Sequence, residues 1–123
     1  MKRGFDSFII IGVIGNRLDH SLANISILFM LEEHSKTAII IDDYSEIELV
    51  GKNTKYMEDK FSYFSILNIS GISKGITIKN AKYSLDNADI NMNYQYGINN
   101  EVIPGEIASV QIEKGYALLI KVF

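Results

Sequence analysis

FIIIGVI, at residues 8–14, is the stretch of the sequence that decides the fold. It is a short and continuous apolar run rich in β-branched residues, and such a run is typical of a strand buried on both faces of a sheet. Ile9 and Ile11 are therefore expected in the core. Gly15 and Asn16 follow the run and predict a turn at its end.

A helix and a second apolar run follow this strand. Residues 21–34 have helical apolar spacing, with Leu22, Ile25 and Leu28 on the inward face. The run KTAIIIDD at residues 36–43 predicts a second buried strand. Two such strands joined through a helix form a right-handed β-α-β unit with parallel strands. The side chains expected to be buried are Ile9, Ile11, Val13, Leu28, Ile39 and Ile41.

The C-terminal half has a different periodicity. Residues 61–66, 75–79 and 90–96 alternate with period two and predict half-buried strands. A terminal hairpin around Gly115 is expected to join residues 106–111 to residues 116–123. The polar stretch at residues 45–60 suits either a solvated helix or an excursion over the surface.

These patterns predict the fold class and the domain organisation. The class is α/β or α+β, with an N-terminal β-α-β unit in a mixed sheet that is completed by C-terminal antiparallel strands. A chain of 123 residues has the usual size of one domain, so residues 1–123 are expected to form a single domain.

Composition excludes several classes of function. The chain has no Cys and two His, so thiolate chemistry is excluded, and neither a metal nor another cofactor is predicted. A net charge of −3 without a basic cluster argues against nucleic acid as a partner. No apolar run is long enough to span a membrane, so we expect a cytoplasmic protein. Abundant Ile, Asn, Lys and Tyr indicate AT-rich coding DNA, as in a low-GC bacterium or a mobile element.

The Gly12–Ser21 turn has the layout of a phosphate-binding site, because the first amides of a helix are unpaired and attract anions. The residues differ from those of a P-loop, G-x-x-x-x-G-K-[ST], since Asp19 and His20 stand where Gly and Lys are required. ATP hydrolysis is therefore not expected. The candidate ligand-binding residues of this turn and of the following strand end are Gly15, Asn16, His20, Ser21 and Asp42.

A family resemblance rests on HSLANISIL at residues 20–28, followed by KTAIIID at residues 36–42. This segment resembles the Walker A helix and second strand of ParA/MinD-type P-loop ATPases. The resemblance places Ser21 at the magnesium-binding hydroxyl and Asp42 at the acid that closes the second strand. Because the Walker lysine is missing, the resemblance over residues 8–43 implies a degenerate and inactive relative.

Aromatic residues on the β-rich half supply the other candidate site. Tyr94 and Tyr96 alternate with polar residues on a predicted strand at Ile90–Gly97, and Tyr83 lies on a neighbouring strand. Such side chains suit either a core or an interface that binds a protein partner or a second copy of the chain. The sequence thus predicts a non-catalytic interaction or accessory domain. The alternative is a nucleotide- or small-ligand-binding domain that uses the Gly12–Ser21 turn.

Overall fold

The computed structural model describes residues 7–11, 18–68, 71–91, 95 and 97–123. The chain forms two compact units, Met1–Leu49 and Val50–Phe123. Whether they are one domain, as predicted for residues 1–123, stays a prediction. The elements in chain order are β1 (Ser7–Ile11), α1 (Leu18–Glu33), β2 (Thr37–Ile41), β3 (Ser45–Val50), β4 (Lys55–Met57), β5 (Tyr63–Leu67), β6 (Ile72–Lys79), β7 (Leu85–Asn91), β8 (Gly97–Asn100), β9 (Ala108–Lys114) and β10 (Ala117–Val122).

The first unit contains the predicted β-α-β arrangement. Strand β1 pairs in parallel with β2, in a register that runs from Ser7 opposite Thr37 to Ile11 opposite Ile41. Strand β3 then pairs antiparallel with β2, so the sheet is mixed. With the antiparallel strands of the second unit, this confirms the predicted mixed α/β fold class.

Helix α1 ends with a left-handed residue. Ser35 has φ 57°, and the amides of Ser35 and Lys36 donate to the carbonyls of Glu32 and Leu31. This is the Schellman arrangement, which satisfies carbonyl groups that a helix leaves unpaired at its C-terminus. The helix therefore ends close to the predicted position.

The predicted burial of this unit is only partly right. Ile40 and Leu28 are buried, whereas Ile9 is 70% and Ile11 is 74% exposed. The expectation that β1 is covered on both faces is therefore wrong for these two side chains. Leu22, which was expected on the inner face of α1, is also exposed. An apolar run shows that a strand can be buried, but only the neighbouring elements decide which of its faces are covered.

The same predicted set contains three other residues. Ile39 and Ile41 are half-buried, and Val13 lies outside the described residues.

The second unit contains two sets of strands. In one, the order is β10-β5-β8, and in the other it is β4-β9-β6-β7. Every pairing with a described register in both sets is antiparallel. Side chains from both sets form one apolar core, which contains Val50, Met57, Phe64, Ile66, Ile76, Ile78, Ala81, Ile90, Val102, Ala108, Val110, Ile112, Ala117 and Leu119.

Two predictions for the C-terminal half are wrong. The turn at Gly115 connects β9 to β10, but these strands do not form a hairpin, because β9 pairs with β4 and β6 while β10 pairs with β5. Residues 45–60, for which the sequence left a helix and a surface excursion open, contain β3 and β4. Ile90 belongs to β7 and Gly97 to β8, so no single strand runs over Ile90–Gly97.

Buried polar groups of this unit have partners. Asn68 is fully buried, and its side-chain amide donates to the hydroxyl of Ser73 while its Oδ1 accepts the amide of Gly71. The hydroxyl of Ser73 in turn donates to the carbonyl of Tyr116. Within the described part of the chain, no buried side-chain nitrogen or oxygen lacks a hydrogen bond. The sheets are therefore tied together by satisfied polar contacts as well as by the apolar core.

Candidate functional site

Three β-bulges in the second unit share one construction. Gly75, Asn87 and Asn99 have φ of 68°, 55° and 58°, and each lies where two residues oppose one on the neighbouring strand. In each bulge, a side-chain oxygen of the single opposing residue accepts the amide of the left-handed residue. The acceptor is Asp89 for Gly75, Thr77 for Asn87 and Ser65 for Asn99. Gly and Asn are the residues that adopt this conformation most readily.

The bulge at Ile98 and Asn99 lies on a strand at the end of its order, as does the bulge at Asn87 on β7, whereas Gly75 lies on β6, which pairs on both sides. Strand β8 is the last strand in its order and pairs with β5 alone among the described residues. A Cβ at Gly97 would lie 3.1 Å from the Ile66 carbonyl oxygen, so glycine lets β8 approach β5 closely. Ile98 and Asn99 are exposed. Bulges are frequent at sheet edges and beside active sites, where they redirect side chains.

Asn100, directly after the bulge, fixes the adjacent chain. It is 2% exposed, and its Oδ1 accepts the amides of Tyr83 and Glu101, each at 2.9 Å. Its Nδ2 donates to the carbonyl of Tyr83 at 2.7 Å. One buried side chain therefore satisfies three backbone groups and holds Tyr83 beside Glu101. We call Asn100, Tyr83, Glu101 and Lys82 the Asn100 clamp.

The outer side of the Asn100 clamp carries a charge pair and an aromatic ring. The Nζ of Lys82 lies 3.3 Å from Oε2 of Glu101 and 5.5 Å from the centre of the Tyr83 ring. The hydrogen bond to Glu101, followed by the electrostatic effect of Tyr83, raises the pKa of Lys82 above its ordinary value. Tyr83 is 57% exposed. The clamp thus presents a carboxylate and an aromatic face to solvent from a rigid backbone.

The structure describes only some of the residues predicted to bind a ligand at the Gly12–Ser21 turn. Gly15 and Asn16 lie outside the described residues, His20 is exposed in the first turn of α1, and Ser21 is buried. Asp42 closes the turn between β2 and β3, because its Oδ1 accepts the amides of Tyr44 and Ser45 at 2.8 and 2.7 Å. No contact with His20 or Ser21 is described for Asp42, and the predicted ligand-binding role of this set stays a prediction.

The aromatic residues predicted to form an interface are also only partly described. Tyr83 belongs to the Asn100 clamp, whereas Tyr94 and Tyr96 lie outside the described residues. The role of these three residues in an interface stays a prediction.

Residues 52–117 match the family model for the thiamin pyrophosphokinase, vitamin B1 binding domain. The match covers more than half of the chain and includes both the β8 bulge and the Asn100 clamp. The chain belongs to this family. No curated protein matches the chain.

Solved structures of thiamin pyrophosphokinases share the fold of this chain. Thiamine pyrophosphokinase from Bacillus subtilis is 26% identical, with a TM-score of 0.90 over 98% of this chain and 57% of its own. The protein from Geobacillus thermodenitrificans is 22% identical, with a TM-score of 0.84 over 99% of this chain and 56% of its own. Yeast thiamin pyrophosphokinase is 17% identical, with a TM-score of 0.78 over 94% and 39%. This chain therefore spans between 39% and 57% of the length of these relatives.

The family overturns the main functional predictions. The resemblance to a ParA/MinD-type P-loop ATPase is wrong, and so are the degenerate P-loop and the non-catalytic interaction or accessory domain. The resemblance rested on an apolar strand, a helix and a strand ending in an acid, a layout that unrelated α/β folds share. The family match lies in residues 52–117, from which no resemblance was drawn.

Sequence reasoning also missed Asn99, Asn100 and Glu101. The local sequence GINNE, at residues 97–101, does not show that Asn100 is buried. An asparagine pair that follows a glycine with one residue between them, near the end of an alternating segment, is a signal for a left-handed bulge residue.

The described residues contain neither a cluster of metal ligands nor a helix that could span a membrane. In the described ranges, no group of three or more His, Asp or Glu side chains could hold a metal ion. None of the helices in those ranges has the length and apolar character to cross a membrane.

Proposed function

We propose that this chain binds thiamin, and that the exposed side of β8 with the Asn100 clamp forms part of the binding site. The observation that carries the proposal is the family match over residues 52–117, whose description names vitamin B1 binding. The β8 bulge and the clamp lie inside this range.

The chemistry of thiamin and of the exposed residues around β8 supports the proposal. Thiamin joins an aminopyrimidine ring, which donates and accepts hydrogen bonds, to a positively charged thiazolium ring. The exposed amide of Asn99 carries both donors and an acceptor, as an aminopyrimidine requires. Ile98 and Tyr83 are exposed and offer apolar and aromatic area for a flat ring. The hydrogen bonds of the bulge and of Asn100 hold the backbone of these residues before a ligand arrives, which lowers the entropic cost of binding.

Isothermal titration calorimetry of the whole chain with thiamin tests the proposal. We expect saturable binding, which Asn99→Gly weakens about tenfold, the effect of losing one or two good hydrogen bonds. Glycine keeps the left-handed backbone at Asn99 and removes only the amide group, so the fold is preserved.

Asn87→Gly is the matched control, because Asn87 occupies the same position in a bulge on another pair of strands. Its affinity for thiamin should equal that of the wild type. An absence of binding at millimolar thiamin would reject thiamin binding by this chain. Equal weakening by the two glycine variants would reject the β8 site.

A second candidate function follows from the likeness to the Bacillus subtilis enzyme, whose name states a pyrophosphokinase activity. We propose that this chain contributes to the transfer of a diphosphate group to thiamin. Formation of thiamin diphosphate from thiamin and ATP, in a buffer with Mg²⁺, tests this activity separately from binding. A cytoplasmic location and self-association, both predicted from the sequence, are parts of the proposal that cell fractionation and light scattering can test.

A further inference from the structure

The side-chain amide of Gln95 makes the two hydrogen bonds that a strand backbone would make. Its Oε1 accepts the backbone amide of Asn68 at 2.9 Å, and its Nε2 donates to the backbone carbonyl of the same residue. In an antiparallel sheet, two hydrogen-bonded residues exchange one amide and one carbonyl bond in this way. The Gln95 side chain therefore takes the place of a strand residue beside Asn68. We call this pair of bonds the Gln95 staple.

The Gln95 staple continues the pairing of β5 with β8. Ile66 of β5 lies opposite Gly97 of β8 in antiparallel register. Asn68 comes two residues after Ile66, and Gln95 comes two residues before Gly97, so Asn68 and Gln95 are in register with each other. Because a side chain replaces the backbone pair here, the backbone of Gln95 lies farther from Asn68 than the roughly 5.5 Å between the Cα atoms of a hydrogen-bonded pair.

The Asn68 end of the staple is fixed in the core. Asn68 is fully buried, its Nδ2 donates to the Ser73 hydroxyl at 2.7 Å, and its Oδ1 accepts the amide of Gly71 at 3.1 Å. The Ser73 hydroxyl donates to the carbonyl of Tyr116 at 2.8 Å. Ser73 lies in β6, and Tyr116 directly precedes β10. The staple therefore ties the chain that leads into β8 to a buried hydrogen-bond network.

Strand β8 has few other attachments. It contains four residues, ends its strand order, and pairs with β5 alone among the described residues. Its register with β5 joins Gly97 to Ile66 and Asn100 to Phe64, and the bulge at Asn99 interrupts the ladder between these pairs. Strand ends with few such bonds open more easily than the core of a sheet. The staple and Asn100 therefore hold β8 from its two ends, and Asn99 projects from the backbone between them.

We infer that Gln95 is a positioning residue for the proposed thiamin site, because the staple holds the backbone of β8 in the register that presents Asn99 at the edge of the sheet. This inference rests on the proposed function. When β8 opens, Asn99 leaves its position, and the affinity for thiamin falls with the fraction of molecules in which β8 is closed. Gln95 needs no contact with the ligand for this effect.

Amide hydrogen exchange measured by NMR tests the staple without a ligand. Gln95→Met keeps an unbranched side chain of similar length and removes both hydrogen bonds. The amide of Asn99 donates to the Ser65 hydroxyl at 3.0 Å. In the variant this amide should exchange about fivefold faster, because the loss of the staple favours the opening of β8.

Calorimetric titration with thiamin links the staple to the site. Gln95→Met should weaken thiamin binding about fivefold, in line with the faster exchange. Gln111→Met is the matched control, because the Gln111 side-chain amide also donates to a backbone carbonyl, that of Lys52 at 2.9 Å. Gln111 lies on β9, in the other set of strands. This control should leave the thiamin affinity and the exchange of the Asn99 amide unchanged.

Gln95→Glu makes the staple dependent on pH. A protonated carboxyl group can accept the Asn68 amide and donate to the Asn68 carbonyl as glutamine does, whereas an ionised carboxylate only accepts. The groups that the staple and its network join are backbone amides and carbonyls, an asparagine and a serine, and none of these titrates in this range. The thiamin affinity of Gln95→Glu, relative to that of the wild type, should therefore rise as the pH falls from about 8 toward the ordinary glutamate pKa of about 4.3.

The possible results separate this inference from the proposed function. An Asn99 amide that exchanges at the wild-type rate in Gln95→Met would overturn the inference, whatever the result with thiamin. Faster exchange with an unchanged thiamin affinity would also overturn it, while the proposed function stands. A constant ratio of affinities between Gln95→Glu and the wild type over the pH range would show that the side chain acts by packing alone, which overturns the inference as well. No binding of thiamin by the wild type would overturn both proposals.

Discussion

Strands β1 and β8 have opposite compositions and opposite patterns of burial. Strand β1 is SFIII, and two of its isoleucines are more than two thirds exposed. Strand β8 is GINN, and its last asparagine is almost completely buried. Hydropathy alone would predict that the isoleucines are buried and that the asparagine is exposed. The comparison shows that burial depends on what the neighbouring elements cover and on whether a polar group finds partners there.

The largest expected effect separates exposed from buried isoleucines. Ile40→Ala in β2 and Ile76→Ala in β6 should each lower the free energy of unfolding by about 2–5 kcal/mol, because both side chains are fully buried. Ile11→Ala in β1 should lower it by less than about 0.5 kcal/mol. Urea unfolding followed by circular dichroism measures all three. A loss at Ile11 as large as that at Ile40 would show that the outer face of β1 is covered in solution.

The second prediction tests the buried asparagine of β8. Asn100→Ala should lower the free energy of unfolding by about 2–3 kcal/mol, because two backbone amides and one carbonyl lose their partner in a buried place. Asn53→Ala, at an exposed asparagine, is the control and should change it by less than about 0.5 kcal/mol. The same urea titrations apply. Equal effects at the two positions would mean that the clamp contributes nothing to stability.

The third prediction concerns the left-handed backbone that sets β8 apart from β1. Asn99→Ala and Asn87→Ala should each lower the free energy of unfolding by about 1 kcal/mol, because alanine resists a positive φ. Glycine at the same positions should have a smaller effect, since it adopts this conformation freely. Thermal unfolding of the four variants provides the comparison. Alanine variants as stable as glycine variants would contradict the bulge geometry.

The smallest expected effect is the pH dependence of the Lys82 pair. Because Glu101 raises the pKa of Lys82 in the folded chain, the pair stabilises the fold below the ordinary lysine pKa. This contribution is lost as the pH rises through the raised value. Glu101→Gln should lower the pKa of Lys82 toward its ordinary value, as measured by a side-chain NMR titration. An unchanged pKa in this variant would show that the contact with Glu101 does not persist in solution.

Local sequence patterns were sufficient to predict the pairing of elements whose partners are near in the chain. Two apolar runs joined by a helix predicted the parallel pair of β1 and β2, because a β-α-β crossover has essentially one handedness and one outcome. Alternation with period two also predicted the strands β5 and β6, but not their distant partners β10 and β9. The candidate site was not predicted, because the clamp joins Tyr83 to Asn100 across 17 residues of chain.

By itself, the amino-acid sequence determined the mixed α/β class, the β-α-β unit and the positions at which the chain can turn, since these depend on periodicity and on the conformational preferences of single residues. Only the tertiary structure decided that Gly115 joins strands with different partners, that Ile9 and Ile11 remain exposed and that Asn100 is buried. Each of these features depends on which distant strand supplies an apolar surface or a hydrogen-bond partner. Hydropathy and turn propensity describe a residue and its near neighbours, and they contain no information about that choice.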